Sequence, residues 1–260
     1  MIDCYDIGIN LTDKQFNKDR NKIIKDAYEN HIGLIITGCN AFSNKMAIDI
    51  IKGSKYPMYC TLGIHPHNAK DYSNNFLKNW YDLYNKHKEC VVAVGEVGLD
   101  YDRMFSPKDM QIETFQHMID VARDTKLPLF LHERSAVDDF YNILKASPKE
   151  AQNSVVHCFT GNANTIKKYL DLGCMIGITG WICDKRRNGD LVDAIKYIPL
   201  ERLMIETDAP WLTPQGYGLS RRNIPINIHY VYEEIARLLK VLPNRIKENT
   251  YYNTKRFFNI

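Results

Sequence analysis

Five residues of metal-binding type sit at or just past the end of successive short apolar runs. They are His65 in "GIHPH", Glu96 in "GEVGLD", His132 in "FLHER", His157 in "VVHCF" and Asp208 in "ETDAP". Imidazole and carboxylate together suit zinc and divalent transition ions, and a set that leaves positions open admits water and a substrate oxygen. Taken singly, each has an ordinary structural reading, such as a histidine satisfied by its neighbours or a carboxylate capping the next helix. Their recurrence on run after run points to one site. Cys158, beside His157, invites a nucleophile reading but has no evident base, and reads better as a buried thiol.

Two arginine pairs follow the last two apolar runs: Arg186 and Arg187 in "DKRRNGD", Arg221 and Arg222 in "SRRNIP". Guanidinium forks match phosphate oxygens two at a time, so the pairs suit a nucleic-acid backbone held beside a metal. Tyr101, Phe159, Trp181, Trp211 and Tyr217 occupy the same loops. One or two of them could stack on the bases of a single strand.

The elements that must position these groups alternate regularly. Eight apolar or β-branched runs, "YDIGI", "GLIITG", "MYCTLGI", "CVVAVGEV", "PLFLH", "SVVHCF", "CMIGITG" and "RLMIETD", are separated by stretches with helical spacing. Near-continuous apolar strands alternating with helices predict a parallel sheet covered on both faces. Eight such units predict an α/β fold of the (β/α)8 TIM-barrel type, formed by one domain over residues 1–260, with strand ends converging on one pocket. The first turn, "GINLTD", lacks the glycine pattern of a dinucleotide-binding sheet. Ser106 is expected to cap the helix after the fourth run, with Pro107 in its first turn. The tail predicts the last barrel helix and an extra C-terminal helix sealing the outside.

Composition bounds the reading. With 260 residues and 45% hydrophobic content, the chain can bury one sizeable core. A net charge of +3 does not by itself mark a nucleic-acid binder. Seven cysteines, an odd number with no Cys-x-x-Cys pair, predict reduced thiols in a cytoplasmic compartment. No run is long enough to cross a bilayer and no leader pattern follows Met1, so a soluble protein without membrane contact is expected. "NLT" at Asn10 matches a glycosylation acceptor, a match read as accidental.

"GIHPH", "GEVGLDYD", "HERSAVDDF", "HCFTG", "IGITGW" and "IETDAPWL", in this order across nearly the whole chain, resemble the TatD family of metal-dependent deoxyribonucleases. The resemblance implies an amidohydrolase-like barrel and Mg²⁺-dependent 3′ to 5′ exonuclease activity on single-stranded DNA and RNA. It makes Glu96, His132, His157 and Asp208 metal ligands and puts His65 near the metal. Many members end the first strand in Asp-x-His-x-His; aligned on Asp6, this chain has Gly8 and Asn10 there. That departure predicts fewer protein ligands and a site more open to water, with Asn10 contacting water or substrate.

The groups suggest a division of labour. Glu96, His132 and His157 hold a divalent ion; the resemblance implies Mg²⁺ in function, while two imidazoles favour Mn²⁺ or Zn²⁺ at the same site. Asp208 orients or deprotonates the attacking water, His65 donates to phosphate, and the arginines stabilise developing charge. The alternatives are hydrolysis of a carbonyl ester such as a D-aminoacyl-tRNA, and an inactive barrel that only binds nucleic acid. A monomer is expected.

Overall fold

In the computed structural model, which describes residues 2–260, the apolar runs become eight strands. They are β1 Cys4–Ile9, β2 Ile32–Ile36, β3 Tyr59–Leu62, β4 Val91–Asp100, β5 Leu129–Arg134, β6 Ser154–Val156, β7 Met175–Ile178 and β8 Leu203–Ile205. All seven successive pairings are parallel and follow chain order. The seam between first and last strands is bridged just beyond β8. The Asp208 amide donates to Gly8 O (2.9 Å) and the Asn10 amide to Ala209 O (2.8 Å). Below them the Asp6 carboxylate accepts from both the Thr207 amide and hydroxyl. This is the expected (β/α)8 barrel.

The connecting helices are α1 Arg20–Glu29, α2 Ala41–Gly53, α3 Asn74–Lys86, α4 Lys108–Thr125, α5 Val137–Lys145, α6 Pro148–Gln152, α7 Ala163–Asp171, α8 Gly189–Ala194, α9 Ile228–Leu239 and α10 Pro243–Phe258. Strand alternation divides the apolar residues between two cores, except in β1, whose register shifts between Asp6 and Ile9 so that Ile7 and Ile9 part company. Ile7, Ile35, Phe130, Val155, Met175 and Met204 fill the barrel, while Ile9, Ile36, Leu62, Leu131, Val156 and Ile205 pack in the layer under the helices. Among the described residues no helix is long and apolar enough to cross a membrane.

Local signals set where helices begin. Asn40 and Ser43 form a reciprocal capping box at the start of α2, and Ser73 caps α3. Ser106 does not cap α4. The helix begins at Lys108 behind Pro107, with no side-chain cap. The Ser106 hydroxyl instead donates to His67 O (2.9 Å) and accepts from the Lys70 amide (3.1 Å). A tertiary partner took the hydroxyl, and it now ties the β4–α4 loop to the turn carrying His65 and His67.

The C-terminal helix does more than cover the outside. Asn253 Nδ2 donates to Leu200 O (2.7 Å) and Leu203 O (2.8 Å) beside β8, and Phe258, 4% exposed, joins the interior cluster. Phe258→Ala is therefore expected to cost about 3–5 kcal/mol in chemical denaturation. A loss below about 1 kcal/mol would separate α10 from the barrel core.

Candidate metal centre

Glu96, near the middle of β4, is 5% exposed and is the point on which three imidazoles converge. Its Oε1 lies 2.7 Å from His157 Nε2, 2.8 Å from His132 Nδ1 and 3.3 Å from His65 Nε2. His132 projects from β5, His157 follows β6, and His65 follows β3 and caps the short helical turn Pro66–Asp71. Donor atoms of His65, Glu96 and His132 lie within 4.8 Å of one another, a spacing that could hold a metal ion. His132 Nε2 is buried without a hydrogen-bond partner among the described residues, its nearest carboxylate oxygen being Asp100 Oδ2 at 3.6 Å. The donor types and this orphaned nitrogen fit a divalent cation.

Hydrogen bonding separates the histidines by role. The Nδ1 edge of His157 faces Glu206 Oε2 at 3.3 Å, so a proton held there leaves the Nε2 lone pair for an ion. His65 is arranged the other way. Its Nδ1 accepts from the His67 amide (3.1 Å), which puts the proton of a neutral ring on Nε2. Although spacing admits His65 as a ligand, this tautomer makes it a donor. Asp208 Oδ1 accepts from Asn10 Nδ2 (2.9 Å).

Two carboxylates were missed in the sequence. Glu206, fully buried, accepts from the Cys158 amide (2.5 Å) as well as facing His157. Asp100, 1% exposed, meets His67 Nε2 at 2.7 Å and accepts from the amides of Asp102 and Arg103. Strand alternation was the available signal: Glu96 and Asp100 share one parity, as do Glu206 and Asp208.

Burial opposes charge throughout this cluster, and specific neighbours decide each outcome. It lowers His65 to about 4, so that ring is neutral at pH 7. The surrounding imidazoles, His65 first and then His157 and His132, hold Glu96 well below the usual carboxylate range despite burial. His157 rises well above its ordinary value because Glu96 and Glu206 outweigh its burial. Burial, with repulsion from Glu96 and Glu206, lifts Asp208 to about 7; burial likewise lifts Asp6 to about 8.

A pH dependence follows. Above the unfolded value of 3.8, folded Asp6 and Asp208 retain protons up to about 8 and about 7 that the unfolded chain has released. Stability contributed by these groups therefore falls as pH rises through that window. His157 adds to the fall above 6.5; His65, lowered to about 4, opposes it between about 4 and 6.5 but is outweighed by the two carboxyls, while the depressed Glu96 loses stability only toward acid. In chelator, melting temperature is expected to fall from about pH 5 to pH 8, and added Mn²⁺ to flatten the profile. A metal-free profile rising over that interval would contradict the assignment.

A family profile described as TatD related DNase matches residues 5–259. The chain belongs to this family. It is 39% identical over 262 aligned residues to the 3′-5′ ssDNA/RNA exonuclease TatD of Erwinia tasmaniensis, covering 98% of this chain and 100% of that protein. Among solved structures, a TatD family hydrolase from Entamoeba histolytica superposes with a TM-score of 0.88 at 27% identity, covering 98% of this chain and 97% of that one. A TatD homologue from Escherichia coli gives 0.88 at 25% identity, covering 99% and 98%.

Within this TatD fold, the space at Gly8 is not left to water. A Cβ at position 8 would lie 2.3 Å from Glu206 Oε2 and 3.1 Å from Phe130 Cζ, so Glu206 occupies the volume a larger residue would need. Asn10, only 6% exposed, is closed to glycosylation and instead holds Asp208. Cys158 is half-buried, with its thiol 3.7 Å from the Thr179 hydroxyl and raised well above the usual range by burial.

The arginine pairs are not four free forks. Arg186 pairs bidentately with Asp184 (2.7 Å twice), and Arg187 reaches the same carboxylate at 2.9 Å while lying over Trp181. Arg222 forks onto Asp19 at 2.9 and 2.6 Å. Arg221 is exposed and has no ion pair among the described residues. Of the aromatic candidates, Phe159 is core, Tyr101 bonds Asp139, Tyr217 stacks on Tyr230, and Trp211 is 47% exposed. Phe105, 59% exposed and edge-on to His67, went unnoticed in the sequence.

Proposed function

We propose that this protein is a metal-dependent nuclease that hydrolyses phosphodiester bonds of single-stranded DNA, and of RNA, from the 3′ end. The observation that carries the reading is the convergence of His65, His132 and His157 on one oxygen of buried Glu96. The exonuclease name borne by relatives at 36–39% identity supports the substrate class. Glu96, His132 and His157 would hold the ion, with Mg²⁺ proposed in function and Mn²⁺ or Zn²⁺ at the same site. A bound divalent cation would neutralise non-bridging phosphate oxygens and acidify the attacking water.

The chain's own groups would do the rest. Asp208, lifted to about 7 in the metal-free protein and aligned by Asn10, suits orienting the water or taking its proton. Neutral His65 would donate its Nε2 proton in a hydrogen bond to a phosphate oxygen. Arg221 would pair with the backbone, while Trp211 and Phe105 offer faces on which bases stack. The reading includes a monomer acting in a reducing cytoplasm, consistent with seven free cysteines.

Arg221→Ala is expected to raise KM for an oligonucleotide about tenfold, leaving kcat within about twofold, as loss of one charged hydrogen bond to substrate would do. An unchanged KM would remove Arg221 from the substrate path. The wider test is an end-labelled panel of single-stranded DNA, duplex DNA, RNA and aminoacyl-tRNA, run with Mg²⁺, Mn²⁺ and Zn²⁺ in turn. Stepwise shortening from the 3′ end is expected. Ester hydrolysis of aminoacyl-tRNA with intact oligonucleotides would make the deacylase reading the better one, and binding without hydrolysis would favour an inactive barrel.

A further inference from the structure

The two oxygens of Glu96 face different chemistry. Oε1 takes the three imidazoles, whereas Oε2 has one partner among the described residues, the thiol of Cys39 at 3.4 Å. Cys39 follows β2 and is held from both backbone sides. Its amide donates to Ser43 Oγ (2.8 Å), and its carbonyl accepts from the His65 amide (2.9 Å) and Asn68 Nδ2 (3.2 Å). The backbone at Cys39 is therefore held by the same turn that presents His65.

A second group points at the same spot. Asn10 Oδ1 belongs to a side chain 6% exposed, and its one contact is the long thiol approach at 3.9 Å. Its amide nitrogen is already committed to Asp208. That approach leaves the amide oxygen facing the same sulfur as Glu96 Oε2. A thiolate and a carboxylate oxygen on one tetrahedral zinc lie about 3.5 Å apart, from ordinary Zn–S and Zn–O lengths. The observed 3.4 Å matches that spacing.

We infer that Cys39 is a metal ligand on the Oε2 face of Glu96, making that face selective for thiophilic divalent ions. This rests on the reading of the Glu96 cluster as a metal centre. Thiolate prefers zinc, cadmium and cobalt over magnesium, so the position discriminates among ions that carboxylates alone would accept. Coordination replaces the S–H proton by the ion, and the proton goes to solvent. Where Gly8 and Asn10 remove two imidazoles, the neighbouring strand supplies sulfur.

The test is spectroscopic and independent of catalysis. Metal-free wild type, Cys39→Ser, Cys39→Ala and Cys158→Ser are titrated anaerobically with Co²⁺, with circular dichroism checking the fold and calorimetry counting bound ions. Wild type and Cys158→Ser are expected to develop thiolate-to-cobalt charge-transfer absorption, and both Cys39 variants to lack it. Cadmium affinity of the Cys39 variants should fall at least about tenfold while magnesium affinity changes less than about threefold. Persistence of the band without Cys39, or unchanged cadmium affinity, overturns the inference while leaving the metal centre standing. Absence of cobalt binding by wild type overturns both.

Discussion

Glu96→Gln is expected to lower oligonucleotide hydrolysis at least about 10³-fold, a loss of roughly 4 kcal/mol in transition-state stabilisation. The reason is positional as well as electrostatic. One oxygen of Glu96 organises His65, His132 and His157, and its charge raises His157, and together with Asp100 raises His132, against their burial in the metal-free state. An amide keeps the shape but removes the charge, so the imidazoles lose both counter-ion and common acceptor. The barrel core does not depend on that charge, and circular dichroism should remain that of wild type. Hydrolysis within about tenfold of wild type, with unchanged metal content, would remove Glu96 from the chemistry.

Gly8→His, which restores an imidazole common in the family, is expected to disable this protein. Its Cβ would meet Glu206 Oε2 at 2.3 Å and Phe130 Cζ at 3.1 Å. Glu206 is the far end of a side chain and could swing away, but it is fully buried and faces His157 and the Cys158 amide. Moving it breaks a buried charged network, which costs about 3–5 kcal/mol. A chain of this size would melt about 10 °C lower. Thermal unfolding and metal titration check this. A Gly8→His protein as stable as wild type, binding an ion more tightly, would mean that Glu206 does not own that space.

The pH dependence and the crowding at Gly8 share a cause. Asp6, Glu96, Asp100, Glu206 and Asp208 crowd one end of the barrel, and their mutual repulsion is what a cation relieves. Volume alone would have misled: a groove of about 610 Å³ lined by Ile2, Asp3, Tyr251 and Arg256 lies at the opposite strand ends and holds none of these groups.

Much of this was legible in order and type. The strand period follows from side-chain alternation, and eight apolar runs separated by helical spacing leave little choice but a barrel. That topology brings run ends to one rim, so order along the chain alone gathers His65, Glu96, His132, His157 and Asp208 there. The family motifs fixed the chemistry further.

Contacts between distant segments were not legible, because they depend on which atoms meet and not on which residue types occur. Ser106 reads as a cap but bonds the turn after β3. Four arginines read as phosphate forks, yet Asp19 and Asp184 hold three. His65 and His157 look alike in the chain; the His67 amide and Glu206 give them opposite protonated nitrogens. Gly8 reads as open space until Glu206, nearly two hundred residues away, fills it. The sequence by itself determined the barrel, the rim and the ligand types, since these follow from periodicity and chemical identity. The tertiary structure alone decided tautomer, pairing and occupancy, since hydrogen bonds, Coulomb forces and excluded volume act between neighbours in space.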